Sequence, residues 1–232
     1  MANDITVQEW GSGDRHAVLI HGLGNSSGSW FDVGPALADR GYHVHAVDLP
    51  GHGDSAPLER YSVEALADAV QGAVPGEPAL AVGHSLGGLV LAHAVATLKP
   101  AHAVYVDPAW RITPDAAVIN FFRSQKTWTL DDVAANFPKW DAGSLERKLV
   151  ALQKWDVTIL DDLGSFTPAD SSTPVVPSTV VLADPSNLVP PERATELREA
   201  GFAVSTVAGA GHVVHIDDLD GFLEAVSAVI AV

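Results

Sequence analysis

The chain has 232 residues, 47% of them hydrophobic, no cysteine and a formal net charge of −16. That is enough apolar material for one large core, which excludes a mostly disordered chain, and the missing cysteines exclude disulfides, thiolate catalysis and Cys-ligated metal centres. The negative charge disfavours nucleic acid and anionic membranes as partners, because like charges repel at long range. The opening MANDITVQEW has neither the basic region nor the apolar run of a secretory leader, and no run reaches transmembrane length, which predicts a cytoplasmic protein.

In chain order, the apolar runs Ile5–Trp10, His16–Ile20, Tyr42–Val47, Ala79–Val82, His102–Val106, Ser178–Ala183 and Ala203–Val207 each read as a strand. Between several of them, Phe31–Arg40, Val63–Gly72, Leu86–Leu98, Pro191–Ala200 and Gly221–Val232 have helical spacing and alanine content. Such alternation predicts an α/β protein with a mostly parallel central sheet and helices on both faces. It breaks between Pro108 and Pro177, where four tryptophans and helical pieces such as Leu130–Phe137 and Ser144–Leu152 replace any strong strand. The expected organisation is a core of 1–107 and 178–232 with a helical cap inserted over 108–177.

The stretch ALAVGHSLGG, residues 79–88, sits at the junction of an expected strand and helix. A serine that must stand above a sheet as a nucleophile needs a sharp strand-to-helix turn in a strained backbone conformation. Side chains two residues before and after it would collide, and Gly83 and Gly87 remove them. Such a turn aims the first amides of the helix at the reaction centre, where a developing oxyanion is favoured.

Together with this elbow, His21-Gly22-Leu23-Gly24 followed by Ser29-Trp30, the loop Asp48-Leu49-Pro50-Gly51-His52-Gly53-Asp54-Ser55, and Ala210-Gly211-His212 after the last strand stand in a telling order. In these motifs the chain resembles the α/β-hydrolase family along nearly its whole length. The resemblance implies that fold, with a serine esterase or lactonase activity. Acyl transfer needs a hydroxyl, an imidazole to take its proton and a carboxylate to orient the imidazole. Ser85 is the expected nucleophile and His212 the expected base. For the acid, Asp184 lies 28 residues before His212 and suits the family's order Ser, Asp, His, with Asp107 as the alternative. The expected oxyanion donors are the backbone N–H groups of Leu23 and Leu86.

Expected substrate contacts are Gly22, Trp30, His84, Trp110, Phe121, Trp128 and Trp155, with Phe122 and Trp140 as further lid material. The aromatic content favours a small hydrophobic ester or lactone as partner, and pocket loops poor in lysine and arginine argue against a phosphate-bearing one. A serine at the elbow disfavours the dehalogenase and epoxide-hydrolase branches, which need a carboxylate there. No metal and no organic cofactor is implied, and a homo-oligomer is possible. Two other readings remain open: a small-molecule receptor or slow-turnover binding protein on the same scaffold, and an NAD-type oxidoreductase using Gly22-x-Gly24-x-x-x-Gly28 with Asp48 as its ribose-binding acid.

Overall fold

Runs of β-branched and aliphatic residues form the strands β1 (Val7–Trp10), β2 (His16–Ile20), β3 (His43–Val47), β4 (Leu80–His84), β5 (His102–Val106), β6 (Ser178–Leu182) and β7 (Ala203–Thr206) of the computed structural model, which describes residues 4–231. They make one sheet in the order β1-β3-β2-β4-β5-β6-β7, parallel throughout except for antiparallel β1 at one edge. Every residue of β4 and β6 is buried, as expected of parallel strands covered on both faces. Alternation along β2 sends Val18 and Ile20 into one apolar cluster and Ala17 and Leu19 into the other.

The first of these clusters is covered by α2 (Val63–Ala73), α3 (Leu86–Leu98) and α8 (Pro191–Glu199), the second by α1 (Val33–Ala38), α9 (Val214–Asp217), α10 (Leu219–Ala225) and α11 (Ser227–Ile230). Local signals start several of them: Ser62 accepts from the Ala65 N–H at the head of α2, and Pro191 occupies the first turn of α8. The helix expected over 221–232 is two short ones meeting at Val226, and Val232 lies outside the described residues. Likewise 31–40 contains a shorter helix, preceded by a 3-10 turn over Ser27–Trp30.

The segment between β5 and β6 forms α4 (Ala116–Ser124), α5 (Leu130–Asn136), α6 (Ala142–Lys154) and α7 (Ile159–Asp162). Asp115, Thr129 and Asp141 cap the first three of these, Thr129 in a reciprocal capping box with Asp132. Trp110, Trp155, Ile159, Leu160, Leu163 and Phe166 belong to the same buried cluster as Ile20, Leu86 and Leu89 of the sheet layer. The insertion therefore shares the core of the sheet and does not build one of its own.

Tight packing at the elbow gives a test. A Cβ on Gly83 would overlap the Gly87 carbonyl, one on Gly87 would fall 2.6 Å from the His21 carbonyl oxygen, and nothing lies within 4 Å of a Cβ on Gly72 in α2. Gly83→Ala or Gly87→Ala is expected to cost about 3 kcal/mol or more, a fall in Tm of roughly 10 °C by calorimetry. Gly72→Ala should instead raise stability by about 0.5 kcal/mol.

Candidate active site

Ser85 occupies the junction of β4 and α3 with φ 53° and ψ −116°, a strained conformation for a non-glycine residue. It stands at the N-cap position of α3, yet its side chain caps nothing. The hydroxyl is bonded elsewhere: Ser85 Oγ lies 2.9 Å from His212 Nε2. His212 Nδ1 lies 2.6 Å from Asp107 Oδ2. With Nδ1–H donating to that carboxylate, the Nε2 lone pair faces the Ser85 hydroxyl and accepts its hydrogen bond.

The carboxylate that meets the imidazole is Asp107, not Asp184 as expected. Register pairs His84 of β4 with Val106 of β5, so the next residues, Ser85 and Asp107, leave the sheet side by side. Asp107 is buried, at φ 38°, and its Oδ1 accepts from the Ala183 N–H at 3.4 Å. Asp184, one strand farther along, is exposed on the rim, where its carboxylate accepts from the Gly209 N–H at 3.2 Å. It braces the loop that carries His212 without touching the imidazole.

Above these residues opens a cleft of ≈450 Å³ lined by Gly22, Leu23, Phe121, Phe122, Phe137 and Lys148 among others. Of the expected contacts, Gly22, His84 and Phe121 line it. Trp30, Trp110, Trp128 and Trp155 do not: Trp30 is buried and stacked on His215 at 4.0 Å, Trp110 and Trp155 are buried in the core, and Trp128 packs edge-on against Phe121 at 5.7 Å. Tryptophans here serve packing. The walls come from phenylalanines.

A model of the alpha/beta hydrolase family matches residues 17–225. The chain belongs to that family. Among curated proteins, it is 44% identical over 98 residues to a pimeloyl-[acyl-carrier protein] methyl ester esterase of Klebsiella pneumoniae, a match covering 42% of this chain and 37% of that protein. The aligned stretch thus spans well under half of that relative's length. Among solved structures, the N-formylmaleamic acid deformylase of Pseudomonas putida superposes with a TM-score of 0.81 at 22% identity, over 97% of this chain and 96% of that one. The enol-lactonase of Burkholderia xenovorans does so with a TM-score of 0.77 at 21% identity, over 98% and 96%. Both are likenesses of fold.

In this α/β-hydrolase, His84 and His21 hold the loops around the site. His84 Nε2–H donates to the His212 carbonyl at 2.9 Å, and burial, then His212, hold its pKa well below the usual value. His21 Nδ1–H donates to the Gly22 carbonyl at 2.8 Å while its Nε2 accepts from the Leu49 N–H at 3.0 Å, joining the loops after β2 and β3; burial lowers its pKa to about 4. Asp48 completes that junction by accepting from the N–H groups of Ser27 at 2.6 Å and Asp54 at 2.9 Å. Both of its oxygens are engaged and the residue is buried, which leaves no carboxylate for a ribose and removes the basis of the oxidoreductase reading. Gly22 lets the loop approach closely: a Cβ there would lie 2.9 Å from His84 Nδ1 and 3.1 Å from Ser85 Cβ. Leu23 lines the cleft beside it, and Leu86 opens α3, where the N–H groups of the first turn have no partner within the helix.

Several lining residues went unread in the sequence: Gln125, Phe137, Lys139, Lys148 and Asp217. Asp217 accepts from Trp140 Nε1–H at 2.7 Å and from the Gly211 N–H at 2.6 Å, and Lys139 donates to the Gly209 carbonyl, so the helical segment is tied to the His212 loop. Lys139 and Lys148 put two amines in the cleft lining, although the pocket loops were expected to be poor in lysine and arginine. The Lys148 ammonium, on the buried face of α6 with Ser144, Ala151 and Leu152, donates to the Gly24 carbonyl at 3.0 Å and to Asn25 Oδ1 at 2.9 Å. A lysine at a position of the apolar stripe was the available signal.

Both acceptors of Lys148 are neutral, and burial lowers its pKa to about 7 from 10.5. Between those two values the unfolded chain binds a proton that the folded chain does not, so this group makes stability rise with pH across that window and depresses it fully below the window. Urea unfolding at about pH 6 and about pH 9 should show the wild type gaining on the order of a few kcal/mol relative to Lys148→Met. Parallel pH dependence in the two proteins would contradict the assignment.

Proposed function

We propose that the protein is a serine hydrolase that cleaves a carboxylic ester or lactone of a small hydrophobic substrate through an acyl-enzyme on Ser85. The observation that carries this reading is the unbroken chain Ser85 Oγ, His212, Asp107, with contacts of 2.9 and 2.6 Å at the mouth of the cleft. His212 Nε2 takes the hydroxyl proton as Ser85 attacks the carbonyl carbon, and Asp107 holds the imidazole and stabilises its charge. The tetrahedral oxyanion is received by the N–H groups of Leu86 and Leu23. The imidazolium then protonates the leaving alcohol; in a second cycle His212 activates water to hydrolyse the acyl-enzyme. For a lactone the alcohol stays tethered to the acyl part, and both halves must fit the cleft together.

Support for an ester bond comes from the partial match to a methyl ester esterase, 44% identical over 98 residues. Phe121, Phe122, Phe137 and Leu23 give the cleft walls that suit an apolar acyl or alkoxy group. Lys148 steadies the loop carrying Leu23 through its bonds to Gly24 and Asn25.

Hydrolysis of a p-nitrophenyl ester series should vanish in Ser85→Ala, and a fluorophosphonate should label Ser85, as located by mass spectrometry. Asp107→Asn should lower kcat by roughly 10⁴-fold, because the imidazole loses the partner that sets its tautomer. Asp184→Asn should stay within a few-fold of wild type. Tight ligand binding with neither turnover nor label would favour a receptor on the hydrolase scaffold.

A further inference from the structure

At the opposite ends of the strands from Ser85, three histidines and a carboxylate share one face of the sheet. Period-two alternation places His43 and His45 of β3 on the same side. The parallel ladder sets His16 of β2 beside His43, and the antiparallel ladder sets Glu9 of β1 opposite His45. One ring nitrogen from each of the three histidines lies within 4.8 Å of the others. His16 Nδ1 and His45 Nε2 are 3.0 Å apart, and the ring centroids of His43 and His45 are 4.3 Å apart. Glu9 Oε1 lies 2.8 Å from His45 Nδ1 and 3.4 Å from His43 Nε2.

We propose that His16, His43 and His45, with Glu9 supporting them, form a site for a divalent late first-row transition metal ion, Zn²⁺ above all. Tetrahedral zinc with bonds of about 2.1 Å to nitrogen needs donor atoms about 3.4 Å apart, and the present spacings reach that with small rotations of the imidazoles. His45 faces His16 with one nitrogen and Glu9 with the other. That is the arrangement in which a carboxylate fixes the tautomer of a ligating histidine and raises its basicity. Imidazole donors select zinc, nickel, cobalt or copper over calcium and magnesium, which prefer oxygen.

The donors stand on the adjacent strands β2 and β3, with Glu9 on neighbouring β1, and the backbone ladders set their spacing, so little order has to be gained on binding. His16 and His43 are half-buried and Glu9 is exposed, which leaves the ion a route in from solvent. Length along the strands puts this site about 15 Å from the catalytic edge. Its part is to staple edge strand β1 to β3 and β2, independently of the reaction proposed above.

The test uses tag-free full-length protein stripped with a chelator and titrated with Zn²⁺ against a chromophoric competitor. Wild type is expected to bind one Zn²⁺ at this site and to gain thermal stability from it. His43→Asn and His16→Gln should each weaken that binding by about 30-fold or more and abolish the gain, and Glu9→Gln should weaken it by about 10-fold. Co²⁺ should give the intense visible absorption of a tetrahedral centre in wild type and lose it in the two histidine variants. Circular dichroism of the stripped variants, at half-buried positions, should match wild type. Failure of wild type to bind Zn²⁺, or binding by folded His43→Asn and His16→Gln equal to wild type, overturns the proposal.

Discussion

Everything at the cleft edge of the sheet depends on one strained residue. Ser85 turns the chain from β4 into α3 at a positive φ, and that turn exists only because Gly83, Gly87 and Gly88 leave room for the backbone around it. From the turn follow the exposure of the hydroxyl, the aim of the α3 amides and the position of Asp107, which leaves β5 in register with Ser85. The strain is borne by the fully buried strand β4 and by the mostly buried helix α3. Packing on both faces of the sheet therefore supplies the stability that holds a locally unfavourable conformation in place.

Much of this architecture was legible in the residues. The inner strands are written as short, mostly apolar runs and the edge strands β1 and β7 as shorter mixed ones, all seven lying within a residue or two of their expected positions, and the glycine spacing around Ser85 marked the elbow. The acid was harder. Asp184 and Asp107 each follow a strand, and nothing in one dimension says that β5, rather than β6, is the direct neighbour of β4. Hydrophobicity misled in the same way at the tryptophans. A large indole suits either a substrate wall or a core, and Trp30, Trp110 and Trp155 went to the core because the sheet layer needed their volume. Lys148 and Asp217 could not be reached by motif, since their meaning lies in partners more than a hundred residues away in one case and in a tryptophan of the insertion in the other.

Eight of the ten histidines fall into three uses that burial and partners separate. His212 alone is bonded to both Ser85 and a carboxylate. His21, His52, His84 and His215 are buried and kept neutral at physiological pH, and the first three each donate to a backbone carbonyl near the site. Using imidazole as a neutral brace lets one side chain both donate and accept, as His21 does between two loops, with no charge added beside Ser85. The third group, on β2 and β3, faces away from the site with its ring nitrogens turned toward one another.

The shared core of the insertion also limits how freely it can move. Swinging the whole segment 108–177 outward would expose Trp110, Trp155, Ile159, Leu160, Leu163 and Phe166, at a cost on the order of 10 kcal/mol. Helix α4 is different. None of its residues is buried, yet it carries Phe121 and Phe122 over the cleft. Ile119 and Phe122 rest against the core while Phe121 stands exposed at the cleft, so the size of the group that fits beside Ser85 is bounded by a pair of phenylalanines on one lightly held helix.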